Sequence, residues 1–170
     1  MPQDEELKRC LIADDVRASR EILRAWLCQC RFECTVTSNG EEAWKAIHEN
    51  PPDLLVTDIE MPDCSGLELL QRIRHHTSPR IKSIPVLVVT SLHDGQMREA
   101  VQRLGGNGLL VKPLDKGSTF SVVLEVLVAG LKPGELVVSE THDCSPRDGL
   151  VSPTLRRLLQ TVAANEERRK

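Results

Sequence analysis

The sequence predicts an α/β fold, an open parallel sheet of five strands with helices on both faces. Three observations carry that expectation. Five short apolar runs recur along the chain: CLIA (10–13), CTVT (34–37), LLVT (54–57), VLVVT (86–90) and LLV (109–111). Most are apolar without a break, as in strands covered on both faces, rather than alternating as in a sheet with one wet face. Between them lie longer segments with apolar residues at helical spacing, and strands that alternate with helices run parallel.

The first run leads into an amphipathic segment holding Ile22, Leu23, Trp26 and Leu27. After the second, Asn39-Gly40 opens a helical EEAWKAIHEN. Pro51-Pro52 precedes the third run, which is followed by a loop and then LELLQRIRHH. Pro85 opens the fourth, and Met97, Ala100, Val101 and Leu104 mark the next helix. Gly105-Gly106-Asn107-Gly108 is a turn signal before the fifth run, which Lys112-Pro113 closes. The valines of 116–131 (Val122, Val123, Val126, Val128) would suit a strand. The stretch is read as a helix because a parallel sheet needs its final cover. From Pro133 the texture is turn-rich and reads as a linker. Ser152-Pro153 then reads as an N-cap followed by proline at the first helical position, and Leu155, Leu158, Leu159 and Val162 share one helical face. The expected organisation is one domain over 1–131. A linker and C-terminal amphipathic helix follow over 132–170, with no recognisable output domain.

A chain of 170 residues is long enough to bury a real core. Its net charge of -3 argues against a nucleic-acid coat, and with no Tyr, two Trp and two Phe it has little for bases to stack on. No direct DNA binding is predicted. The charged start, MPQDEELKR, is no secretory signal, and the apolar stretch 120–131 is interrupted by Glu125 and too short to span a bilayer. No membrane contact is expected, and the location expected is cytoplasmic. Of six cysteines, Cys28, Cys30 and Cys34 form the one local cluster. Three thiolates invite a zinc reading. Structural zinc wants four ligands in paired spacings, and no second pair is present, so reduced thiols filling small spaces at a helix end fit better.

The residues that follow the apolar runs carry the chemistry, because ligands of an open parallel sheet bind beyond the carboxyl ends of its strands. The first run delivers Asp14-Asp15, the third Asp58, the fourth Thr90-Ser91 and the fifth Lys112-Pro113. Singly each has a plain structural reading: Asp as a helix cap, Thr as a strand residue, Lys in solvent. Jointly they place three carboxylates, a hydroxyl and an ammonium at one rim. Crowded carboxylates repel, and a divalent cation relieves that. Hard oxygen ligands at this density suit Mg2+, which takes one or two carboxylates, waters and phosphate oxygens.

With DD at 14–15, Asp58 followed by Met61-Pro62 and Gly66, Thr90, and Lys112-Pro113, the chain resembles a response-regulator receiver domain of two-component signalling over about residues 7–131. The resemblance implies a flavodoxin-like strand order 2-1-3-4-5, which makes strands one and three neighbours. It implies Asp58 as phosphoacceptor, and Asp15, Asp58 and the backbone carbonyl of Glu60 as direct magnesium ligands. Asp14 would reach the metal largely through water. Thr90 would bind the phosphoryl group, Lys112 would pair with it, and the Lys112-Pro113 bond would be cis. The implied donor is a sensor histidine kinase or phosphotransfer protein, and the implied output is a changed contact with an unknown downstream protein. Such a chain is a phosphoacceptor switch and not a metabolic enzyme.

Three departures from the family pattern bear on that expectation. The switch position, three residues before the lysine, is Leu109 rather than an aromatic. A leucine cannot exchange a buried ring for an exposed hydroxyl, so an altered coupling is expected, unless Leu109 is simply core. Glu60 sits at the mouth of the site. It is either a solvated loop acid or a shield leaning on the metal or Lys112. Finally, the stretch 116–131 is apolar nearly all round and wants cover beyond the sheet. The stripe Leu155, Leu158, Leu159, Val162 is expected to pack there or to form part of a homodimer. The rival readings are a pseudo-receiver used only for binding and an Asp-nucleophile phosphatase. The second would want D-x-D-x-T after the first strand, where the run is Asp14-Asp15-Val16-Arg17-Ala18. No G-x-G-x-x-G supports a dinucleotide site.

Overall fold

The computed structural model describes residues 6–139 and 153–169. Its strands are β1 (Lys8–Ala13), β2 (Phe32–Thr37), β3 (Leu54–Asp58), β4 (Val86–Thr90), β5 (Gly108–Val111) and β6 (Val137–Val138). Its helices are α1 (Arg17–Gln29), α2 (Gly40–Glu49), α3 (Gly66–Arg74), the single turn α4 (Pro79–Lys82), α5 (Gly95–Arg103), α6 (Lys116–Val128) and α7 (Pro153–Glu167). The sheet order is β2-β1-β3-β4-β5-β6, parallel throughout. The expected order 2-1-3-4-5 is present and is extended by a strand within the stretch whose turn-rich sequence reads as a linker.

Local chemistry explains where the helices start. Asn39 accepts from Glu42 N, Asp94 from Gln96 N and Asp115 from Ser118 N, each answering a backbone donor that the first turn leaves unpaired. Ser65 and Glu68 form a full capping box on α3. The central strands β3 and β4 are buried along their whole length, which accounts for their unbroken apolar runs. Two cores result. One lies between the sheet and α1 with α6, built on Leu23, Leu27, Val122, Val123 and Val126. The other lies under α2, α3 and α5, with Ile47, Leu70, Ile73, Met97 and Val101. The valine-rich stretch 116–131 is helical over Lys116–Val128, as expected.

The position of α7 corrects the sequence reading. Its Leu158 and Val162 are buried in the second core, against α3 and on the opposite face of the sheet from α6. Gln71 on α3 donates to the Val162 carbonyl at 3.1 Å, and Asn165 reaches Glu68 at 3.4 Å. The physical reason lies in α3. Leu67, Leu69, Leu70, Gln71, Ile73 and Arg74 are all buried, so this helix carries more apolar surface than the sheet alone can cover. The outer residues of α6, Leu124 and Val128, remain exposed at 63% and 76%. Leu155, as a side chain, and Ser152 lie outside the described residues.

Far from the strand ends that bear the acids, a polar network ties the sheet together. Arg74 is 9% exposed and donates to the carbonyls of Gly105, Lys82 and Ile84 and to Asn107 Oδ1, each at 2.8 Å. Asn107 Nδ2 donates to the Lys132 carbonyl, and the Asn107 carbonyl accepts from Val137 N. One side chain thus anchors the start of β6 beside β5.

Candidate functional site

The site is built at the exits of four strands, β1, β3, β4 and β5. Because β1 lies between β2 and β3, its exit and that of β3 are adjacent, with Ala13 registered on Thr57. Asp14 and Asp15 follow directly, and Asp58 ends β3. One ligand oxygen from each of the three falls within 4.8 Å of the others. Asp14 is 1% exposed and Asp58 5%, while Asp15 is open to solvent. The backbone holds both buried acids. Val16 N donates to Asp14 Oδ1 at 2.8 Å, and Ile59 N donates to Asp58 Oδ1 at 2.8 Å. Arg20, one turn into α1, donates to the Asp14 carbonyl at 2.6 Å. Sequence reasoning missed that contact, and only its place six residues after Asp14 hints at it.

The other oxygens face inward. Lys112 Nζ lies 3.3 Å from Asp58 Oδ2 and 3.5 Å from Asp14 Oδ2. Asp14 Oδ2 is buried and, beyond that ion pair, accepts no hydrogen bond. Burial pushes the Asp58 carboxyl up to about 6; the Lys112 charge opposes this and the Asp14 charge adds to it. Burial works against the Lys112 charge, but Asp58 and Asp14 outweigh it and hold the ammonium above its ordinary value. Thr90, 1% exposed at the end of β4, accepts from Leu92 N at 3.0 Å. That is its one side-chain hydrogen bond among the described residues, so its hydroxyl proton is left to donate. The Lys112–Pro113 peptide is cis. Gly66 approaches so closely that a Cβ there would sit 2.1 Å from the Asp58 carbonyl oxygen. Glycine at this position lets α3 start against the strand end.

The remaining expected positions fall at the edge. Ser91 is exposed beyond Thr90. Glu60 is exposed, and among the described residues Lys112 pairs only with Asp14 and Asp58, so Glu60 does not lean on Lys112. Leu109 is 4% exposed, part of the core, and bridged to Val138 of β6. The donor set fits a hard divalent cation: three carboxylates, no soft ligand, and a buried oxygen short of hydrogen bonds.

An open α/β sheet that gathers acids, a hydroxyl and a lysine beyond its strand ends has its ligand site at a topological switch point. Residues 10–123 match the model of the response regulator receiver domain, and the chain belongs to that family. Over 111 residues it is 36% identical to the 3',5'-cyclic-nucleotide phosphodiesterase regA of Dictyostelium discoideum, a match spanning 64% of this chain and 14% of that protein. Over 106 residues it is 33% identical to a probable chemotaxis protein CheY of Rhizobium etli, spanning 62% and 81%. A putative response regulator from Chloroflexus aurantiacus superimposes with a TM-score of 0.68 at 31% identity, covering 72% of this chain and 99% of that one. The fold is therefore the CheY-like, flavodoxin-like α/β fold, in a receiver domain of two-component response regulators. Among the described residues no helix is long and apolar enough to cross a membrane.

Proposed function

We propose that this chain accepts a phosphoryl group on Asp58 from a phosphohistidine of a sensor kinase or phosphotransfer protein, in a magnesium-dependent reaction. The observation that supports this is the meeting of Asp14, Asp15 and Asp58 with Lys112 in contact with two of them. An Asp58 oxygen attacks phosphorus, the P–N bond to the donor imidazole breaks, and an acyl phosphate forms. Asp15, Asp58 and the Glu60 carbonyl would hold Mg2+ directly and Asp14 largely through water, and the ion would supply positive charge against the phosphoryl oxygens. Lys112 balances the charge that the acids share, and the Thr90 hydroxyl donates to a phosphoryl oxygen. The receiver domain is proposed to extend over 1–131, with β6 added to its sheet and α7 packed on its core by the residues that follow.

The readout is proposed to pass through the face between α5 and α6. A cleft of about 960 Å³ opens there, bordered by Leu92, Arg98, Leu109, Glu125 and Val138. Thr90 and Leu92 link the phosphoryl position to that cleft through one hydrogen bond. With a leucine at the switch position, the change passes through the loop after β4 rather than through a rotating ring, and biases a contact with a downstream protein.

Acetyl phosphate with magnesium should add one phosphoryl group to the intact mass, and Asp58→Ala should show none. No gain with the unaltered protein would favour a binding module that phosphorylation does not switch. Gly66→Ala should slow the gain by about 10²-fold, because the new methyl meets the Asp58 backbone and displaces the nucleophile. Time courses of intact mass measure both.

A further inference from the structure

Away from the acidic rim, two metal-ligating side chains meet on the α2–α3 side of the sheet. His48 lies in the last turn of α2, and His76 lies in the connection that follows α3. Their Nε2 atoms are 3.2 Å apart and their ring centroids 5.1 Å. Trp44, one turn before His48, stands edge-on to both imidazoles, with centroids 4.4 Å from His48 and 5.8 Å from His76. His48 is exposed and His76 half-buried, so solvent reaches the pair.

Backbone groups fix the role of each ring nitrogen. The Trp44 carbonyl can only accept, so His48 Nδ1, at 2.8 Å, carries the proton and Nε2 keeps its lone pair. Ser78 N can only donate, so His76 Nδ1, at 3.0 Å, accepts and the proton of that ring sits on Nε2. One proton therefore lies between the two Nε2 atoms. A backbone carbonyl on the far nitrogen is a usual outer support of a metal-bound histidine, and His48 already has one.

The rings are placed for an ion as well as for that proton. Two imidazoles bound to one tetrahedral zinc at about 2.0–2.1 Å hold their nitrogens about 3.3 Å apart and their centroids about 5.2 Å apart. A collinear N–H···N bond of the observed length would instead set the centroids about 5.5 Å apart. The observed 5.1 Å means that the ring axes bend off the line between the nitrogens. Among the described residues no third His, Cys, Asp or Glu joins the two, so water fills the other positions of the shell. The nearby cation Arg72, 5.9 Å from the Trp44 ring, is answered by Glu41 at 2.7 Å.

We propose that His48 and His76 form a site for a borderline divalent transition ion such as zinc, which clamps α2 to the α3–α4 connection and is separate from the acidic rim. Imidazole suits such ions, whereas carboxylate and water suit magnesium. The ion takes the place of the proton between the rings. His76 passes that proton from Nε2 to Nδ1, no net proton leaves, and Ser78 N exchanges the ring for water.

The test titrates zinc into the full chain at neutral pH, with magnesium in large excess to fill the acidic rim. Calorimetry should show one zinc that is held at least tenfold more weakly by His48→Gln and by His76→Gln. His75→Gln should bind as the parent does, because its ring contacts the Gln71 carbonyl instead. Circular dichroism confirms that the variants fold. With free zinc tenfold above its dissociation constant, the parent's thermal midpoint should rise by about 4 °C. Nitrogen-15 spectra should show His76 Nδ1 changing from acceptor to N–H. A parent that binds no zinc overturns the proposal. So does zinc held undiminished by either variant of the pair, which would place it on the thiols or the acids, or an equal loss in His75→Gln.

Discussion

Replacing Arg74 with alanine should lower the unfolding free energy by about 4 kcal/mol, the cost typical of stripping a buried charged partner from its network. The guanidinium donates to three backbone carbonyls and to Asn107, all at 2.8 Å. Without it those acceptors stay buried and unpaired, and each forfeits about 1–3 kcal/mol, though the losses do not add in full. Burial alone pushes the Arg74 pKa down to about 10, so the group remains charged at neutral pH. In a domain of this size the midpoint should fall by roughly 10 °C. Arg74→Lys should recover little, because one ammonium cannot reproduce a planar fork that serves acceptors at four positions. Thermal melts followed by circular dichroism decide the matter, and an Arg74→Ala midpoint within a degree or two of the parent would show that the network is dispensable.

Asp58→Asn should stabilise the magnesium-free protein at pH 8 and leave it nearly unchanged at pH 4. The folded state raises the Asp58 carboxyl to about 6, first through burial, with the Lys112 charge opposing and Asp14 adding. A raised carboxyl binds its proton more tightly when folded. Its contribution to stability is therefore full below the ordinary carboxylate pKa and is lost as pH rises through about 6. Above that, ionised Asp58 costs the fold about 3 kcal/mol, because each tenfold change in proton affinity is worth roughly 1.4 kcal/mol. The amide removes this cost while keeping an acceptor for Ile59 N, and Lys112 keeps Asp14. Magnesium should narrow the gap by stabilising only the parent. Equal midpoints at pH 8, or a gap that persists unchanged at pH 4, would contradict the assignment of strain to this carboxylate. The same acid that costs the empty fold stability is the one proposed as nucleophile, and destabilisation at a reactive group is a common companion of function.

The two effects sit at opposite ends of the strands and differ in how far they could be foreseen. Asp14, Asp15, Asp58, Thr90 and Lys112 each end or directly follow an apolar run, so recognising the runs was enough to place all five at one rim. Arg20 and Gly66 act on the same acids, but an arginine six residues on and a glycine in a loop carry no local mark of the contact they make. Leu109 is core because β6 lies over its edge, and the two residues of β6, Val137 and Val138, are too few to raise a pattern of their own. Arg74 and Asn107 look like a surface cation and a turn residue until α3 and the β4–β5 connection are seen to share a buried space.

By itself the sequence determined five strands, the helices between them and the chemistry at their exits. Each of these is encoded within a few residues by periodicity, capping and the position where a strand stops. Only the tertiary structure decided that residues 137–138 extend the sheet, that α7 covers α3 rather than α6, and that Cys10 is the cross-strand neighbour of Cys34. Those outcomes depend on which surfaces compete for the same cover. An apolar stripe is equally apolar against either helix, so the choice falls to the partner with matching hydrogen bonds, here Gln71 to the Val162 carbonyl.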